Sequence, residues 1–259
     1  MKYLLIISLF LLTSCNTPSI SSWFDFRDDF RGDLKVVEDQ DYQDHFMYLG
    51  ELFLKNPSID TMQIDSQTKS YLNRIYRRIV DSNELLLGNM GEDQAEFFII
   101  DSTVPFYFSL PGSKFYLSRI LLERYLSSEE LFVSMLAHEM IKSRRNLYEK
   151  RTIVPARYLS IEQMISFTRI NTELKMEIHK WAYFALKRAG FDSSAYLSWL
   201  QLQNKNSLDF SLQVGSSRNI SQEEFMFKNF VVTEVGTLIS PPDFHASSEY
   251  NRMLQELRR

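Results

Sequence analysis

Apolar residues recur at helical spacing at Leu72, Ile75, Tyr76, Ile79 and Val80, which predicts an amphipathic helix with one face against a core. The run from Tyr42 to Lys55 has helix-forming composition and predicts a second core-packing helix. Glu96 to Asp101 (EFFIID) reads as a short strand, and PFYFSLPGSKFYLS holds two more around the turn at Pro111-Gly112, so a small sheet is expected. Ser127, with Glu130 three residues later, predicts a capping box for a helix carrying Leu131, Met135, His138 and Lys142 along one face. A long helix follows from about Ile161 to Ala189, closed by Gly190, with Lys175, Ile178, His179, Ala182 and Leu186 on its apolar face. These elements together predict an α+β fold that is predominantly helical. Lys142 and Lys175 both fall on inward-facing positions. For either lysine alone, base rates favour a buried stem whose ammonium reaches water.

The N-terminus reads as a targeting segment. Lys2 precedes an apolar run, Tyr3 to Leu12, that is too short to span a bilayer and has the length of a signal-peptide core. The ending Leu12-Thr13-Ser14-Cys15 resembles the lipobox of bacterial lipoproteins, whose cysteine is acylated and becomes the first residue of the mature protein. The resemblance implies a signal peptide over residues 1–14, a lipid anchor and tether over 15–40, and one domain over 41–259. It also implies membrane attachment through Cys15. Asn16, where aspartate is absent, is compatible with sorting to the periplasmic face of the outer membrane. Asn16 to Ser22 is rich in Ser, Thr and Pro and reads as a flexible tether, followed by an aromatic and acidic stretch from Trp23 to Asp33. Cys15 is the single cysteine, so the mature chain is expected to hold no internal disulfide.

With 259 residues, 44% of them hydrophobic, the chain is long enough to bury a sizeable core. Its net charge of -4 and scattered basic residues argue against a nucleic-acid partner. The nearest thing to a basic cluster is Arg77-Arg78, which reads as a solvated helix face.

The segment LFVSMLAHEMIKS carries His138 and Glu139 where a zinc peptidase has H-E-x-x-H, but Lys142 stands at the second histidine. Residues four apart share one helix face and reach one ion, while the glutamate between them holds the attacking water. A protonated lysine has three donors and no lone pair, so Lys142 cannot take that role. His138-Glu139 alone is a weak signal.

Several motifs in one order are more specific. SLPGSKFYLSRILL (Ser109 to Leu122), EELFVSMLAHEMIK (Glu129 to Lys142), KMEIHKWAYFALKRAGFD (Lys175 to Asp192) and DFHASSEYNRML (Asp243 to Leu254) follow one another. Over roughly Ser58 to Leu257 the chain resembles the zinc metallopeptidases of the HtpX and CAAX prenyl endopeptidase type, especially their periplasmic branch concerned with outer-membrane assembly. That family shows A-L-P-G-G, then E-L-x-x-V-L-A-H-E-I-G-H, E-x-E-A-D, A-G-Y/F-D and a late His-Pro segment. The resemblance implies a zincin-like fold with a small sheet packed on the helix bearing His138-Glu139. It matches His138 to the first zinc histidine and Glu139 to the general base. Lys142 stands at the second histidine, Lys175 at the glutamate ligand and His179 at the aspartate. Glu177 keeps the middle glutamate, and His245 stands at the histidine of the late segment, with Ala246 in place of proline.

Two unit charges 4 Å apart interact by roughly 4 kcal/mol at an effective dielectric near 20, and a dication doubles that for each neighbouring ammonium. Two lysines therefore oppose zinc as well as failing to bind it. The expectation is a lysine-glutamate cluster of Lys142, Lys175, Glu139 and Glu177 that replaces the metal as a pin between two helices, with no cofactor. The alternative is zinc held by His138, His179 and His245, which the family layout places near one cleft. Three functions follow: a lipid-anchored pseudopeptidase that binds or regulates envelope proteins, an active zinc peptidase with an altered ligand set, and a purely structural envelope lipoprotein. For the first, the strand near Lys114 to Ser118 is the expected groove edge.

Overall fold

In the computed structural model the described residues are 39–258, apart from 89–93, 150–152, 154, 156 and 237–245. From the start of this region the chain builds α1 (Asp39–Leu54), β1 (Thr61–Met62), α2 (Ser66–Asp81), a single turn α3 (Glu84–Leu87), β2 (Glu96–Ile100), β3 (Tyr107–Leu110) and β4 (Lys114–Ser118). α1 lies where composition predicts a helix, and α2 and these three longer strands lie where the apolar pattern and turn signals predict them. The two-residue β1 is too short to leave a pattern.

The strands are ordered β1-β2-β4-β3, with β2 and β4 parallel and both outer pairings antiparallel. β4 is therefore interior. Apolar residues crowd the strands without strict alternation because the sheet is covered on both faces. On one face Phe98, Tyr116 and Phe108 stack across three strands, with ring centroids 4.8 and 4.6 Å apart, and α1 packs on them with Phe46, Leu49 and Phe53. On the other face Ile99, Phe115, Leu117 and Tyr107 join the larger helical core. The β3–β4 turn places Gly112 at φ 75° and Ser113 at φ 60°, so a non-glycine residue holds a left-handed conformation there.

The helical half comprises α4 (Glu129–Arg144), α5 (Ile161–Thr168), α6 (Thr172–Arg188), α7 (Ala195–Lys205), a short α8 (Ser211–Val214), α9 (Ser217–Phe230) and α10 (Ser248–Leu257). Tyr42–Arg259 forms one compact unit. Every residue of α4 from Leu131 to Ser143 is buried, as expected of a helix surrounded by other elements. It packs against α6, α7 and β3. Its N-cap is Ser128, whose hydroxyl accepts from the Leu131 amide at 3.3 Å, one residue later than expected; three residues on stands leucine, so there is no capping box.

The single helix expected over Ile161 to Ala189 is two. Arg169 turns extended, and Asn171 caps α6 by accepting from the Leu174 amide at 2.8 Å. Ser160 and Gln163 form the capping box of α5. The close of α6 at Gly190, φ 72°, is as expected. Arg78 is exposed, as expected of a solvated helix face, and also donates to the carbonyls of Ala189 and Gly190 at 2.7 and 2.9 Å, with its guanidinium over the Phe191 ring. A cation there satisfies carbonyls left over at the helix end. Arg77 is likewise exposed.

Gly50 lets α1 approach the sheet. A Cβ there would lie 2.5 Å from Leu110 Cδ1 and 2.7 Å from the Tyr116 hydroxyl. Gly50→Ala is expected to lower stability by about 1–3 kcal/mol through overpacking, despite alanine's better helix propensity. Urea denaturation checks this, and a stabilised variant would contradict the close approach.

Candidate functional site: a buried ionic centre

Because α4 is enclosed, its polar side chains must find partners within the protein. Glu139 and Lys142, one turn apart, form an ion pair of 2.7 Å with both side chains under 5% exposed. The same Glu139 oxygen accepts a hydrogen bond of 2.7 Å from the Ser109 hydroxyl on β3. Ser109 also lies 3.2 Å from the Tyr148 hydroxyl, and the Lys142 ammonium sits 5.9 Å from the centre of that ring.

The second half of the centre comes from α6 and α9. Lys175 donates to Glu223 at 2.9 Å, and Nε2 of His179 lies 3.7 Å from the other oxygen of Glu223. Between the halves stands Tyr196 of α7. Its hydroxyl is 3.2 Å from Nδ1 of His138 and 2.8 Å from Nδ1 of His179, whose rings are 5.0 Å apart. Nε2 of His138 is 4.0 Å from Glu139. A cavity of about 30 Å³ remains among these groups, lined also by Gln203 and Gln213. It is room for a water, not for a peptide.

Burial above all, then His179 and the ammonium groups of Lys142 and Lys175, holds His138 well below the ordinary histidine value of 6.5. Burial also lowers His179, outweighing the opposing pull of Glu223. For Glu223 burial acts upward, but the contacts with His179 and Lys175 outweigh it and keep the carboxyl below its ordinary 4.5. Tyr196 is pushed up by burial and keeps its proton. With both histidines neutral, that proton goes to one Nδ1, and the other Nδ1–H must donate to the phenol oxygen.

The carboxylates nearest the two histidines are already engaged, Glu139 by Lys142 and Ser109 and Glu223 by Lys175, while His138 and His179 turn Nδ1 to one hydroxyl and Nε2 toward those carboxylates. Among the described residues no group of three His, Cys, Asp or Glu side chains is arranged to hold a metal ion. His245 and Cys15 lie outside the described residues.

Some expectations need correction. Lys142 and Lys175 do point inward and find carboxylates, but Glu177 is no part of the centre. It is two residues from Lys175 and from His179, hence on the opposite side of α6, where it is exposed and pairs with Lys180. Glu223 takes its place. The expected groove edge, Lys114 to Ser118, is β4, paired on both sides and unable to receive another strand. The outer strand beside the centre is β3, whose Tyr107 amide is met by Gln213. His45, expected on a helix surface, is half-buried and accepts from the Ile153 amide.

Glu223, Tyr196 and Ser109 were not anticipated. Glu223 had a signal: Ile220, Glu223, Phe227 and Phe230 follow helical spacing, which makes it a glutamate in an apolar stripe. Ser109 and Tyr196 carry none, since serine in a strand and tyrosine in a helix are common core residues. Compared with protein-family models and with curated proteins, the chain matches none.

Glu139→Gln is expected to cost about 3–5 kcal/mol because it strands a buried ammonium, whereas Glu139→Gln with Lys142→Met should cost much less than the sum of the single changes. Urea denaturation of the three variants gives the coupling, and additive losses would contradict a buried pair. Stability should also fall as pH drops below about 6.5. There the unfolded histidines take up protons that the folded ones refuse, which costs about 1.4 kcal/mol per pH unit for each histidine. The Glu223 contribution is lost in addition below about 4.5. Denaturation midpoints that stay constant from pH 7.5 to 5 would contradict a neutral buried pair.

Proposed function

We propose that this chain is a lipid-anchored envelope protein with a degenerate, zincin-like peptidase domain of the HtpX and CAAX endopeptidase type, which binds or regulates envelope proteins without hydrolysing them. The observation that carries the reading is the Lys142–Glu139 ion pair. In a zinc peptidase a glutamate at this place accepts a proton from water polarised by the metal, and both parts are needed. Here an ammonium occupies the carboxylate. The Ser109 hydroxyl, at the alanine of the family's A-L-P-G-G turn, bonds to the oxygen that would otherwise hold the water. Lys175 and Glu223 make the corresponding neutral pair on the other side.

The anchor rests on the sequence: a short apolar run followed by the sole cysteine, Cys15, with the outer membrane as the expected destination. Among the described residues no helix is long and apolar enough to cross a membrane. One observation favours a second reading, an active zinc enzyme with altered ligands: the rings of His138 and His179 lie side by side. Its weakness is that each Nε2 faces a carboxylate already engaged by lysine.

Elemental analysis of the purified chain, with and without added zinc, is expected to find no stoichiometric metal, and casein should remain uncut. Stoichiometric zinc, with cleavage lost on chelation and in Glu139→Gln, would establish the second reading instead. Cys15→Ala is expected to move the protein from the membrane to the soluble fraction, and a variant that stays with the membrane would contradict the anchor.

A further inference from the structure

The sheet edge remote from the ionic centre is left incomplete. β1 covers β2 only at Ile99 and Ile100, after which the chain turns away to the cap of α2 at Asp65. The Asp101 amide donates to Asp60 and the Glu96 amide to Ser113 on the β4 side, and these two bonds fix the phase of the strand. Residues 95, 97 and 99 therefore direct their backbone groups away from β4. Ile99 faces β1, and the Ala95 amide is met by the Asn73 side chain at 3.0 Å. The backbone amide and carbonyl of Phe97 face the lane beyond the end of β1 and have no partner among the described residues.

This lane is a groove of about 300 Å³ between β2 and α2, and it continues into a second of about 400 Å³. Lys69, Asn73 and Arg77 are spaced four apart on α2 and so form one row along it. Lys69 and Arg77 are exposed, and neither forms an ion pair with a described residue. The helix sets them about 12 Å apart along its axis, and side chains four apart on an extended chain are about 13 Å apart. Unpaired backbone with a cationic wall suits an acidic strand.

We propose that the lane beside Glu96 to Phe98 receives an extended acidic segment of another protein, which pairs with β2 at Phe97 and sets carboxylates against Lys69 and Arg77. Strand addition supplies affinity through backbone bonds, while the two cations select charge. The opposing role for such cations is to keep other strands off an exposed edge. This inference is independent of the reading of the ionic centre, which adjoins β3 on the opposite edge.

The test uses the intact chain in detergent micelles and a fluorescent octapeptide of alternating Val and Glu. Saturable binding is expected, with slower hydrogen exchange at the Phe97 amide. Affinity should fall about tenfold or more in Lys69→Glu with Arg77→Glu, two exposed sites whose change leaves the core intact. The proposal is overturned if the peptide does not bind, if an N-methylated or a Val–Lys version binds equally well, or if the double variant binds unchanged. It is overturned in favour of self-pairing if exchange at Phe97 slows with protein concentration alone.

Discussion

An ammonium group taken out of water needs a carboxylate beside it, and the helical half of this protein is arranged around that constraint. Lys142 meets it within its own helix through Glu139, whereas Lys175 depends on Glu223 from a helix that begins more than forty residues later. The difference matters for packing. The first pair only requires that α4 be enclosed, but the second binds α9 to α6, and α9 in turn closes over α7 and Tyr196. The two neutral histidines share one phenol between these pairs, so that the centre holds two positive and two negative groups with uncharged rings between them.

The sheet serves this centre from one side. β3 delivers Ser109 to Glu139 and Tyr107 to Gln203, both with fully buried partners. Its position follows from the sheet order. Because β4 pairs with β2 in parallel, β3 is displaced to the outside, directly against α4 and α5. The aromatic layer under α1 holds the sheet from its other face, and the absence of a side chain at Gly50 sets how closely that helix can lie.

Local patterns were legible wherever one residue's environment decided the outcome. The apolar rows of α2 and the inward faces of His138, His179, Lys142 and Lys175 were readable because spacing on a helix fixes direction. Breaks were harder to see. Asn171 ends one apolar run and starts another without a change in pattern, so two helices read as one, and the adjacent Ser127 and Ser128 are equally good caps by type. Partnerships across the chain were least visible. Glu177 was near Lys175 in sequence and Glu223 was not, yet the helix turns the nearer carboxylate to solvent. Sheet order was hidden for the same reason, since a Pro-Gly turn shows that β3 and β4 pair but not which of them lies outermost.

The long sequence separation of Lys175 from Glu223 also affects how the chain matures. A polypeptide threaded N-terminus first would present α4 and α6 well before α9 is released. Until then Lys175 and His179 would border an open, hydrated gap, because their carboxylate has not yet emerged. Sealing of the interior therefore waits for the late helix, and any partner that captures α9 first would hold the rest of the molecule ajar.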